Sequence, residues 1–386
     1  MIRLTPDILV RVGTDYGNKM TPKLVSLYNK VVNIKPIEGN PFNGRPYTEI
    51  FEDSQGLDLR LVTDLLTKPL DYIKTNYLEM KNYILTCQLF YFSSFQIDEE
   101  LRKINKPITK VNRERFRKNY VNRYDNQWIR NIKRNHPSYY KTIDSFEAFI
   151  NEVGENLKDL NNKLKDIIDY RAINSKYRHE LLSEIGIEVC PYCNRQYITK
   201  YEEGGVLKST ADLDHFFPKS IFQLLSLSLF NFVPSCQICN SRFKLAKSSE
   251  ILYPYEEGFD DNSYFEVKLT VDSTIDSLTG NNTFFDLDLT VNPQSSHRNT
   301  IENSIKLFRL KKVYQSHKDY VRELLYKKNT CSNKAYEGLL NNLFLEMKLE
   351  PTDINLFLYG NNLNPADFSK KPLSKLTYDI INKSKN

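Results

Sequence analysis

The chain has 386 residues, of which 40% are hydrophobic and 26% charged, with a net charge of +6. This is the make-up of a soluble globular protein of two or three domains, long enough to bury a core without covalent staples. The charge is too small to announce nucleic acid by itself, so its local distribution has to be read.

Met1-Ile2-Arg3-Leu4-Thr5-Pro6 is followed by no long apolar run, so no signal peptide is expected. No stretch approaches the roughly 20 apolar residues of a membrane span, and a cytoplasmic location is expected. The early part, through Pro36, Pro41 and Pro46, is expected to be loops and extended chain. Most of the rest of residues 1–180 reads as helix. Leu57 to Phe92 keeps apolar residues at helical spacing, interrupted at Pro69, and Cys87 falls in this run as a core residue. Phe146 to Tyr170 repeats the pattern, with Asp144 or Ser145 as the expected N-cap.

Between these segments lies a basic run: Lys103, Lys106, Lys110, Arg113, Arg115, Arg117, Lys118, Arg123, Arg130, Lys133 and Arg134. Tyr120, Tyr124 and Trp128 are interleaved with it. Such a run can track a phosphate backbone and stack bases, or be a solvated helix face, or dock an acidic partner.

Residues 181–250 differ in kind. Ile187 to Thr199 has strand character, Gly204-Gly205 supplies a turn, and a second short strand should lead into Asp214-His215. From Asn240, through Arg242, Phe243 and Lys244, a helix should start. Residues 251–386 are expected to hold a β insert followed by helices. Tyr264 to Val271 and Phe285 to Val291 alternate as strands, with Gly280-Asn281-Asn282 as the turn signal between them. Helix should return from residue 298. His136, His179, His297 and His317 are best read as capping or surface residues, with His297-Arg298 close enough to a helix start to reach a substrate. Cys331 has no assigned role.

The six cysteines include two Cys-x-x-Cys pairs, Cys190-Pro191-Tyr192-Cys193 and Cys236-Gln237-Ile238-Cys239. A secreted disulfide scaffold would be shorter and denser in cysteine. One pair alone could equally be a redox dithiol. Two pairs let four thiolates converge on one zinc ion, which is usually a closed, structural site. The gap between the pairs is longer than in a compact zinc ribbon. It holds Asp212-Leu213-Asp214-His215-Phe216-Phe217-Pro218-Lys219-Ser220 and then Asn231-Phe232-Val233-Pro234.

Over residues 187–250 this order resembles an HNH endonuclease of the ββα-metal fold. The resemblance implies a zinc-braced, treble-clef-like ββα-metal nuclease core; with the helical and strand patterns on either side of it, the expected fold is α+β, a mainly helical chain with this core at its centre and a small β insert. It implies His215 as general base, Asp214 as a ligand of a catalytic metal, and Asn231 as the brace of the His-bearing loop. Asn240 takes the final position, where many members have His, and would be the second metal ligand. Oxygen ligands suit Mg²⁺ or Mn²⁺ better than zinc. Lys219, Arg242 and Lys244 stand where phosphate contacts would help. The arrangement also resembles the nuclease subunits of Septu-type anti-phage systems, in which a separate ATPase partners the nuclease; this chain has no Walker-type phosphate loop of its own. The expected partner is nucleic acid, DNA before RNA. The alternative is a zinc module that docks a partner and has no catalysis of its own.

Overall fold

The computed structural model describes residues 1–35, 37–103, 109–245, 247–331, 334–348, 351–361 and 363–383. The fold is a helix-rich α+β arrangement with small antiparallel sheets. Helix α1 (Asp7–Ile34) opens it, where loops were expected. Its buried face runs through Leu9, Val12, Tyr16, Met20, Leu24, Tyr28 and Val31, a spacing of three or four residues that outweighs the internal Pro22. The irregular chain begins only after Ile34, with the two-residue strands β1 (Glu52–Asp53) and β2 (Gly56–Leu57) pairing at its end.

The next apolar run is broken twice, at Pro69 as expected and again at Tyr77. It forms α2 (Leu59–Thr67), α3 (Leu70–Asn76) and α4 (Leu78–Lys103). Then come α5 (Lys110–Asn122), α6 (Gln127–Asn135), α7 (Ile143–Leu164) and α8 (Ser175–Ile185). Several of these starts carry an N-cap from the residue types that favour one: Asp58, Thr109, Asn126 and Asn174 each accept from a first-turn N–H. The cap of α7 is Thr142 rather than Asp144 or Ser145. Thr142 and Ser145 exchange bonds as a capping box, so Ser145 is the third helical residue and not the cap.

Around the first cysteine pair no strand forms, only a single bridge between Val189 and Tyr197. Strands β3 (Lys200–Glu203) and β4 (Val206–Ser209) make a hairpin whose turn residues Gly204 and Gly205 both have positive φ, 59° and 74°. Strand β5 (Asp212–His215) pairs antiparallel with β6 (Phe232–Ser235), placing His215 opposite Phe232 and Asp214 opposite Val233. Strands β7 (Ser263–Leu269) and β8 (Phe285–Val291) pair antiparallel as expected, with Phe265 opposite Leu289 and Val267 opposite Leu287; β7 ends two residues short of the expected Val271. Gly280 does not turn a hairpin; it is the left-handed C-cap of a short helix, α9 (Ile275–Thr279), inside the connection. Helices α10 (Arg298–Leu307), α11 (Leu310–Val313), α12 (Lys318–Cys331), α13 (Lys334–Glu346), α14 (Pro351–Tyr359) and α15 (Ser374–Asn382) complete the chain. Among the described residues no helix is long and apolar enough to cross a membrane.

The N-terminal helices cradle the loop that joins β5 to β6. The carbonyl of Ile221 accepts from Tyr83, Cys87 and Asn161, and that of Leu227 from Tyr16. The side chain of Gln223 donates back to Ile168 O. Cys87 is thus a buried core residue with a bond to this loop.

Candidate functional site

The four cysteines of the two pairs are buried, and their sulfurs all lie within 4.8 Å of one another. Each pair sits on a tight turn. Asn194 N–H donates to Cys190 O and Asn240 N–H to Cys236 O, and Asn194 takes positive φ, 51°, to let the first turn close. Burial pushes Cys190 well up, while hydrogen bonds from the neighbouring sulfurs push Cys193 and Cys236 down. Four buried sulfurs at this spacing fit a soft tetrahedral metal such as zinc.

The second turn leads into a π-helical segment, Ile238–Lys244, where the helix expected from Asn240 lies. Leu245 ends it at φ 48°, its N–H reaching Asn240 O five residues back. The long π turn brings Asn240 and Lys244, four residues apart, toward strand β5. On that strand Asp212 and Asp214 share one face by alternation. Asn240 Nδ2 donates to Asp212 Oδ2 (3.0 Å), and Lys244 Nζ donates to Asp214 Oδ1 (3.0 Å) and to His215 O (2.6 Å).

Asp214 is therefore closed in. Its second oxygen accepts from the hydroxyl of Tyr192 at 2.6 Å, and the carboxylate is 5% exposed. Burial and the Asp214 charge together push the Tyr192 hydroxyl well above its usual range. Each Asp214 oxygen thus already accepts one bond, from Tyr192 and from Lys244, and the Asn240 amide nitrogen is turned to Asp212. Lys244, expected at a phosphate, is instead buried and bound to Asp214, because the extra residue of the π turn points it inward.

His215 leaves the end of β5 between aromatic edges, with Tyr170 at 4.7 Å and Phe232 at 5.2 Å between centroids. Its Nε2 lies 3.0 Å from Ser226 O. A carbonyl only accepts, so Nε2 carries the hydrogen and Nδ1 keeps the lone pair. Burial lowers its pKa to about 4, against the upward pull of the Ser226 carbonyl. Asn231 clamps the loop that follows His215. Its Oδ1 accepts from Phe217 N–H (2.7 Å), and its Nδ2 donates to Phe217 O and Leu225 O (both 3.0 Å). Lys219 is exposed and stands over the Tyr170 ring at 4.4 Å, beside the imidazole. Arg242 is exposed on the π segment.

Three neighbours were not singled out from the sequence. Tyr192 was visible inside the first cysteine pair, and Asp212 inside the Asp-x-Asp-His run. Tyr170 carries no sequence signal, since only the fold brings it to His215. The remaining histidines have structural partners: His136 with Glu152, His179 with Ser209 N–H, His297 with Glu257 and His317 with Arg195.

The basic run divides in two. Tyr120, Tyr124 and Trp128 are buried and cannot stack bases; Trp128 lies against Phe42 at 4.7 Å and donates to Glu79. Arg117 points inward to the carbonyls of Tyr140 and Lys141. Arg130 and Lys133 pair with Asp125. Lys110, Arg113, Arg115, Lys118 and Arg134 remain on the surface. Lys103 and Lys106 lie outside the residues whose side chains are described.

No family model, no curated protein and no solved structure matches this chain.

Proposed function

We propose that this chain is an HNH-type endonuclease that hydrolyses phosphodiester bonds, with DNA as the first substrate to test. The observation that carries the reading is His215, held by the Ser226 carbonyl in the tautomer that leaves Nδ1 free to take a proton. The order Cys pair, Asp-His, Asn, Cys pair and Asn supports it by resemblance. At neutral pH the imidazole is uncharged, as a general base must be. In the step proposed, Nδ1 removes a proton from water as the water oxygen bonds to phosphorus. The bond from phosphorus to the leaving oxygen breaks, and that oxygen is protonated from solvent. Lys219 and Arg242, both exposed, would hold flanking phosphates. The four thiolates would hold a structural zinc and take no part in the step. The Septu resemblance extends the reading to an anti-phage effector restrained by a separate ATPase.

A second reading, a zinc-braced docking module without catalysis, is favoured by the closure of Asp214 by Tyr192 and Lys244. One experiment separates the two. Purified zinc-loaded protein is incubated with plasmid DNA, and in parallel with RNA, in Mg²⁺ or Mn²⁺. Cutting that is lost in His215→Ala, with zinc content and folding retained, supports the nuclease. Cutting unchanged by His215→Ala, or no cutting of either polymer, overturns it.

A further inference from the structure

The two carboxylates on one face of β5 meet two residues on one face of the π segment, and the pair nearer His215 is an ion pair. Lys244 is 3% exposed and Asp214 5%. The ammonium is held at three sides: Asp214 Oδ1 at 3.0 Å, His215 O at 2.6 Å, and the Phe216 ring at 6.0 Å. It stands where a cation shared by Asp214 and the loop carrying His215 would stand. A buried carboxylate holds a cation tightly, and stripping one partner from such a pair is strongly opposed. A divalent ion arriving at Asp214 therefore competes with an ammonium that is already in place.

The ammonium has somewhere to go. A cavity of about 250 Å³ opens on Lys244 and is lined also by Tyr91, Phe216, Tyr253, Glu256 and Glu257. Glu257 is already paired with His297. Glu256 offers a carboxylate within the same cavity, so a displaced ammonium would not be left without a counter-charge.

We propose that Lys244 is the resident cation of this site, and that a divalent ion gains Asp214 only by driving the ammonium into this cavity. The proposal deepens the nuclease reading and rests on it for its consequence, a nuclease whose metal site is filled at rest by its own side chain. Its test does not depend on cutting. Mn²⁺ binding to the full zinc-loaded chain is followed by electron paramagnetic resonance. Lys244→Met should bind Mn²⁺ at least tenfold more tightly than the wild type, and Asp214→Asn should remove that binding in both backgrounds. Lys244→Gln, which keeps a donor for the His215 carbonyl, serves if the methionine variant loses its zinc. In the wild-type protein the Lys244 amine should resist acylation by an amine-reactive ester and become labelled, by peptide mass spectrometry, as Mn²⁺ is added. Equal Mn²⁺ affinity in wild type and folded Lys244 variants overturns the proposal. So does a Lys244 amine that stays protected while Mn²⁺ is bound at Asp214. Mn²⁺ displacing Lys244 in a chain that cuts neither DNA nor RNA would leave this inference standing and remove the nuclease reading.

Discussion

The hydroxyl of Tyr192 donates to Asp214 Oδ2 at 2.6 Å, from a position between Cys190 and Cys193. The turn that closes the cysteine cluster thus also fixes the carboxylate beside His215. Tyr192→Phe removes one hydrogen bond to a buried charge and little else, because the ring stays stacked on Phe308 at 4.7 Å. A bond of this kind contributes roughly 1.5–3 kcal/mol. The variant should lose that much stability in denaturant titration while keeping its full zinc content, and any nuclease activity should fall with it.

Elemental analysis of the purified chain should find one zinc per molecule. Cys236→Ser, or a strong chelator, should then unfold the region around the cluster, since binding at such sites is worth about 10–16 kcal/mol. The check is circular dichroism and limited proteolysis alongside the metal assay. A chain that keeps its fold without zinc would show that the helices alone hold the cluster together.

Asn231→Ala strips partners from Phe217 N–H, Phe217 O and Leu225 O in one change, all at a buried position. The expected cost is roughly 2–4 kcal/mol, from backbone groups left unpaired away from water. Asn231→Asp keeps the acceptor and loses the donor pair, so it should fall between. Thermal unfolding of the two variants beside the wild type gives the order directly.

His317 sets a pH dependence. Burial, and then the charge of Arg195, lower its pKa from 6.5 to about 4; its Nε2 accepts from Arg195 Nε at 2.9 Å. The unfolded chain therefore binds this proton more readily than the folded one between the two values. The stability due to neutral His317 is complete above about pH 6.5 and is lost as the pH falls toward 4. The ring is partly open to water, so the contribution is discounted to roughly 1–2 kcal/mol. His215 is lowered in the same direction. Denaturant midpoints between pH 7 and 4.5 should drop less steeply in His317→Gln than in the wild type, without becoming flat.

The parts of this molecule set by short-range spacing could be read in the sequence. Cys190, Cys193, Cys236 and Cys239 converge as their pairing predicts, and the alternation from Phe265 and from Phe285 marks the two strands that pair. What escaped depended on the third dimension. The run of Lys and Arg with Tyr120, Tyr124 and Trp128 looks the same whether its rings face out to a polymer or in to a core, and they face in. Helix α1 hid behind Gly13, Gly17 and Pro22, residues that lower helix propensity locally while packing compensates for them. The inward turn of Lys244 depends on one extra residue per turn in the segment that carries it, which composition does not reveal.

Asn194, the left-handed residue that closes the first cysteine turn, is held by residues far along the sequence from it. Its side chain donates to Phe368 O and accepts from Ser374 and from Lys375 N–H, and its own carbonyl accepts from Leu373 N–H. Those partners lie 174 to 181 positions downstream. During synthesis, therefore, the first half of the cluster leaves the ribosome long before the segment that locks it exists. Completion of the centre therefore waits on the synthesis of residues 368–375, so a product truncated before residue 368 would carry all four cysteines of the cluster and still lack the clasp.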